Sequence, residues 1–188
     1  MILAKFWGRK TEKEKKQKEE DNYCDIIDKC AEKKEDFTIR NNTDEHAAYV
    51  LKTLLRYAQK EVCIFIDRIK KEIFNDKDLI DEAINFLKKP EARLKIAYND
   101  VNLRKEGVLN GEFARDILNP KPNGGVEIWD ARRFCFPDGN HFFLNDRFGF
   151  RYEIEPRNAV ANFGDKINGE KLFTIFDGII AKSDKILG

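Results

Sequence analysis

The sequence predicts an α/β fold: a mixed, mostly parallel sheet flanked by helices, a C-terminal β-meander and terminal helix, and a charged helix ahead of them. Three observations carry this expectation. Apolar, β-branched runs alternate with amphipathic helical periods from Phe37 to Trp129, the rhythm of βα units whose strands lie parallel. Short strand-like runs then follow closely from His141 to Phe163, which reads as a meander joined by tight turns. From Arg9 to Asp36 the chain is dominated by Lys, Glu and Asp and holds no Gly or Pro, so it reads as a solvated helix.

Length and charge bound the answer further. At 188 residues and 22.0 kDa there is room for one ordinary domain and an appendage. Hydrophobic residues make up 41% and charged residues 37%, so a packed core under an ionic surface is feasible and wholesale disorder is excluded. The net charge of +1 offers no global field toward nucleic acid, and electrostatic partners must be sought locally. The division follows composition: residues 1–36 as a charged helical segment, 37–188 as the α/β domain. No apolar run reaches the roughly 20 residues of a membrane span, so no membrane span and a cytoplasmic location are expected. Cys24, Cys30, Cys63 and Cys135 are too dispersed for a paired zinc motif and read as free thiols. With His46 and His141 the only imidazoles, no metal and no cofactor are expected.

The elements can be justified in order. Tyr23, Ile26, Ile27 and Cys30 form an i, i+3, i+4, i+7 stripe that docks the charged helix. Ile2, Leu3, Phe6 and Trp7 ahead of Arg9 and Lys10 make an apolar tip with a basic collar suited to a partner or a membrane surface, and residues 1–36 are a candidate contact for a protein partner. Residues 37–39 suit a first strand, and Asn41, Asn42 and Thr43 supply caps for a helix over about 44–60. Residues 62–66 form a strand buried on both faces. A helix over about 77–88 is closed by Pro90. A strand at 94–98, a short helix at 112–118 and a strand at 126–129 complete the βα run. Residues 141–145, 148–154 and 159–163 form the meander, with Asp146 and Arg147 in its first turn. The apolar pattern of Leu172, Phe173, Ile175, Phe176, Ile179 and Ile180 predicts a terminal helix over 169–187.

His-Phe-Phe-Leu-Asn-Asp at 141–146, opening a hairpin, and Ala-Val-Ala-Asn-Phe at 159–163 on the next strand occur in an order of elements that resembles one half of the phospholipase D superfamily. The resemblance covers about residues 37–188. That family carries a His, a Lys two residues later and an Asp five further on, then a Gly-Ser-x-Asn strand. With His141 as the motif His, the Lys position is Phe143 and the Asp position Phe148; with Asp146 as the motif Asp, His141 falls at the Lys position and Gly139 at the His position. Asn162 matches the family Asn, while Ala159 and Val160 stand at the Gly and Ser positions. The chain is therefore similar to degenerate members.

The resemblance implies covalent phosphohistidine chemistry: an imidazole nucleophile, a cation on the phosphoryl oxygens, and a second motif for the leaving group. One chain carries one motif, so the implied assembly is a homodimer. Candidate catalytic residues are His141, Asn162 and Asp146. Arg132, Arg133, Arg147 and Arg151 are candidate phosphate-binding residues, expected to converge at the carboxyl end of the parallel strands, with Asp67 and Arg68 beside them. Phe134, Phe136, Phe142 and Phe143 are interleaved with them as stacking surfaces for single strands would be. His46 is expected to be exposed. The function expected first is non-catalytic self-association and recognition of a protein or phosphodiester ligand. The alternatives are a homodimeric, metal-independent phosphodiesterase or nuclease with His141 as nucleophile, and a nucleic-acid-binding accessory protein.

Overall fold

Thr11 sets the start of the first helix, α1 (Glu12–Lys33): its hydroxyl accepts from Glu14 N–H at 3.3 Å and its own N–H donates to the Glu14 carboxylate at 2.7 Å, a reciprocal capping box. The computed structural model describes residues 11–66, 71–99, 112–118, 125–134, 141–155 and 157–188. Through Glu19 the residues of α1 are exposed, and the second half buries Ile27, Cys30 and Ala31 in the core. Ile26 is exposed and does not belong to the docking stripe.

After β1 (Ile39–Asn41), Thr43 caps α2 (Asp44–Tyr57) by accepting from His46 N–H at 3.1 Å. Then come β2 (Glu61–Ile66), α3 (Lys71–Phe74), α4 (Lys77–Leu87) with its Asp76 cap, β3 (Arg93–Tyr98), α5 (Glu112–Leu118) and β4 (Gly125–Asp130). The chain closes with β5 (Phe142–Asn145), β6 (Gly149–Glu155), β7 (Asn158–Asn162), α6 (Lys166–Ile180) and β8 (Asp184–Leu187).

The eight strands among the described residues join one sheet in the order β1-β7-β6-β5-β2-β3-β4-β8. Only β2 with β3 and β3 with β4 pair in parallel; the other five pairings are antiparallel. The mixed sheet is thus mostly antiparallel by pairing, a correction with two causes. The first strand, two residues later than predicted, pairs with β7 at the far edge instead of joining the parallel run. The predicted terminal helix ends at Ile180, and the last residues form edge strand β8 against β4. Ser183 terminates that helix: its N–H and hydroxyl bond back to the Ile180 and Ile179 carbonyls, and Lys185, Ile186 and Leu187 then run extended.

Sheet alternation separates two cores. One face carries Ile64, Ile96, Ile128 and Phe143 beneath Ile27, Val50, Leu54, Leu79, Phe86 and Ile117. The other carries Phe65, Ala97, Phe142, Leu144 and Phe150 beneath Phe173, Phe176 and Ile179 of α6. Each large side chain so buried contributes roughly 2 kcal/mol by removal from water. The sheet is thereby held rigid, and its polar residues can be positioned against it.

Candidate functional site

β6 faces β5 with Arg151 opposite Phe143, and Glu153 N–H donates to the His141 carbonyl at 2.8 Å. His141, Phe143, Arg151 and Glu153 therefore share the sheet face that carries α1 and α2, and they line one cleft with Leu51, Ile64 and Ile66. Arg151 and Glu153 are only 9% and 8% exposed. Charges so deeply placed need partners. Arg151 Nη1 donates to Glu153 Oε2 at 3.1 Å, and Nε donates to Asn41 Oδ1 at 3.2 Å. Asn41, buried on β1, turns its Nδ2 to Tyr23 Oη at 3.3 Å. Burial pushes the Tyr23 hydroxyl up to about 12, against the opposing pull of the Asn41 hydrogen bond and Arg151. The Tyr23 ring stacks on His46 with centroids 3.7 Å apart, and His46 Nε2 lies 3.1 Å from Glu20 Oε2. His46 is thus half-buried, contrary to the expected exposure, because α1 lies across the start of α2.

The structure does not bring the three candidate catalytic residues together. Asp146 lies in the β5–β6 turn, at the opposite end of β5 from His141 and roughly 15 Å away along the strand. Its carboxylate accepts from the N–H groups of Gln59, Lys60 and Glu61 at 2.6, 2.9 and 3.0 Å, tying the hairpin to the start of β2. Asn162 ends β7 on the opposite face from Arg151, since Ala161 is the residue paired with Arg151. It is fully buried, accepts from Gly164 and Asp165 N–H at 2.9 Å each, and donates to Asp36 Oδ1 at 2.8 Å. These bonds join the entry of α6 to the segment leaving α1.

The four candidate arginines do not converge either. Arg132, following β4, forks onto Asp130 at 2.8 and 2.5 Å, and Arg133 lies 3.6 Å from Asp184. Arg147 stands at the other end of the sheet, bonded to Glu170 at 3.2 Å and over the Phe173 ring. Arg151 alone reaches the His141 cleft. The convergence failed as a prediction because the meander runs antiparallel to β2, which places its first turn at the amino end of the parallel strands. Phe142 and Phe143 are buried in the two cores and Phe134 packs half-buried on the second, so none offers an open stacking face. Asp67, Arg68, Gly139, Cys135, Phe136 and the apolar tip at residues 2–7 lie outside the described residues. Cys24, Cys30 and Cys63 are free thiols, and burial pushes Cys63 well above the ordinary thiol value.

Sequence reasoning missed Asn41, Tyr23 and Glu153 as members of the cluster. Glu153 was in reach, since Arg151 and Glu153 two residues apart on a strand share a face. Asn41 was not, because its approach to Arg151 depends on β1 pairing with β7, more than a hundred residues later in the chain.

No family model matches the sequence, and no curated protein matches it. Solved structures share its fold. TrmBL2, an archaeal chromatin protein with a described mode of DNA binding, superposes with a TM-score of 0.56 at 15% identity, over 92% of this chain and 64% of that one. Nuc from Salmonella typhimurium, a phospholipase D family member, gives 0.56 at 10% identity over 79% of this chain and 97% of its own. NucT from Helicobacter pylori gives 0.48 at 12% identity over 78% and 98%. The chain spans less than two thirds of the length of TrmBL2. The fold is phospholipase D-like, and at these identities the likeness is one of fold.

Proposed function

We propose that this chain is a non-catalytic phospholipase D-like domain that pairs with a second copy of itself and recognises a phosphodiester or protein partner. The observation that carries this reading is Phe143. It occupies the position two residues past His141 on the same sheet face, 3% exposed, where the implied chemistry needs a cation against the phosphoryl oxygens. Losing one such electrostatic donor costs on the order of 3 kcal/mol of barrier. The guanidinium in the cleft, Arg151, is engaged by Glu153, and Asp146 and Asn162 are committed to backbone groups. The DNA binding described for TrmBL2, which shares the fold, favours nucleic acid as the phosphodiester.

The test compares turnover of a bis-aryl phosphate and of single- and double-stranded DNA by the wild-type chain and His141→Ala, with sedimentation velocity reporting the assembly. Equal background rates and a dimer are expected. Turnover abolished by His141→Ala would falsify the non-catalytic reading. A second reading, a homodimeric metal-independent phosphodiesterase, is favoured by one observation: His141 and Arg151 line the same cleft. It requires turnover that survives EDTA. For the accessory-protein alternative, DNA affinity must fall steeply with salt as counterions are released.

A further inference from the structure

We infer that Tyr23 and Asn41 are positioning residues for Arg151, so that the charged N-terminal helix regulates the cleft lined by His141 and Arg151, taken as the place where the proposed recognition of a phosphodiester occurs. This rests on the reading of that cleft as the ligand site, but its geometry stands alone.

Among the described residues, Arg151 has two hydrogen-bonded anchors. One is Glu153, its neighbour on the same strand; the other is Asn41, on the edge strand β1. Glu153 can hold the guanidinium from only one side. Asn41 fixes its Nε, and therefore the plane in which the fork lies, which sets the direction of any bidentate bond to an anion. The Asn41 amide is itself fixed from both ends, since Oδ1 accepts from Arg151 while Nδ2 donates to Tyr23 Oη. Turning the amide over would set donor against donor at Arg151. Tyr23 belongs to α1, and its ring is held by the His46 stack, with Glu20 bonding that imidazole from the same helix. An unbroken chain of contacts thus runs from α1, whose first turns are exposed, to a buried guanidinium that lines the cleft.

Two states follow from this wiring. With α1 docked, Asn41 is held and Arg151 bonds both Asn41 and Glu153. With α1 drawn off by a partner, Asn41 loses Tyr23 and its amide is free to turn, which leaves Glu153 as the firmer of the two anchors of Arg151 among the described residues. A partner of α1 therefore alters Arg151 without touching it, and by reciprocity an anion that reorients Arg151 alters the docking of α1.

The experiment needs no ligand, so failure of the recognition reading leaves it decisive. The exchange of the Arg151 Nε–H with water is measured by NMR on the full chain, alongside amide protection at Ile27, Cys30 and Ala31, which reports whether α1 remains docked. Asn41→Leu is expected to speed Nε–H exchange by about tenfold, the ratio matching one ordinary hydrogen bond. Asn41→Asp, which keeps the acceptor, is expected to restore slow exchange. Tyr23→Phe keeps the ring and removes the hydroxyl; it is expected to speed Nε–H exchange severalfold while the α1 amides stay protected. Unchanged Nε–H exchange in Tyr23→Phe overturns the proposal, as does a rise matched by equal loss of protection across the domain, which would mark global destabilisation. If the positioning holds while DNA and phosphate fail to perturb Arg151, the recognition reading alone falls.

Discussion

Asp146 and Asn162 show how a residue suited to chemistry can be occupied by architecture. Each satisfies backbone N–H groups that would otherwise be left at a turn or a helix entry, and unmade bonds of this kind are expensive. Asp146 also adopts a left-handed φ of 46°, which Asp and Asn tolerate better than most residues. Asp146→Ala is therefore expected to cost about 2 kcal/mol of stability, read as a lower urea midpoint with unchanged slope. Asn162→Ala should cost a similar amount and raise hydrogen exchange at Gly164 and Asp165, whose N–H groups it holds. The Arg151–Glu153 pair behaves differently, because both charges are buried. Removing the carboxylate in Glu153→Ala leaves a guanidinium without its counter-charge, and the expected loss is about 3 kcal/mol. If denaturation shows Glu153→Ala as stable as wild type, the cleft is wetter than its burial implies.

Among the elements, α6 is the helix on which sequence and structure part most clearly. Its apolar pattern correctly foretold a helix, with Phe173, Phe176 and Ile179 buried, whereas Ile175 of the same pattern is exposed. Its end was misjudged, because the apolar Ile186 and Leu187 continue a helical pattern equally well as they serve an edge strand. Two of its glycines make a matched test. A Cβ at Gly169 would meet the Arg147 carbonyl oxygen at 2.6 Å and Phe148 Cα at 2.8 Å, both backbone, whereas a Cβ at Gly178 meets nothing within 4 Å. Gly178→Ala is expected to stabilise the chain by up to about 1 kcal/mol, the difference in helix propensity. Gly169→Ala forces α6 off the β5–β6 turn and is expected to cost roughly 1–3 kcal/mol. Thermal unfolding of the pair decides it: equal shifts of the same sign would mean that α6 does not seat on that turn.

At the scale of the whole molecule, the buried Cys63 thiol and the half-buried Tyr23 and Tyr49 phenols are expected to make stability fall on the alkaline side. Burial raises Cys63 above its ordinary 9.0, and burial also raises Tyr23 and Tyr49 above their ordinary 10.0. A group whose native pKa is raised holds its proton longer in the folded state, so its contribution is complete below the unfolded pKa and is lost as pH climbs toward the native one. The urea midpoint is expected to be level up to about pH 8 and to decline from about pH 9 upward. A flat profile to about pH 11 would contradict the raised values of these three groups, for Tyr49 set by burial and by its hydrogen bond to Asp28. The near-balance of charge, a net +1, leaves this trend to local burial. By itself the sequence determined the class of fold and most of the succession of elements, α3 and β8 excepted, because these depend on periodicity and on local capping, turn and strand chemistry. Only the tertiary structure decided the parallel-to-antiparallel ratio of the sheet, the separation of His141 from Asp146 and Asn162, and the meeting of Tyr23, Asn41 and Arg151. Those outcomes hang on the pairing of β1 with β7 and on the docking of α1, contacts between residues far apart in the chain that no local pattern encodes.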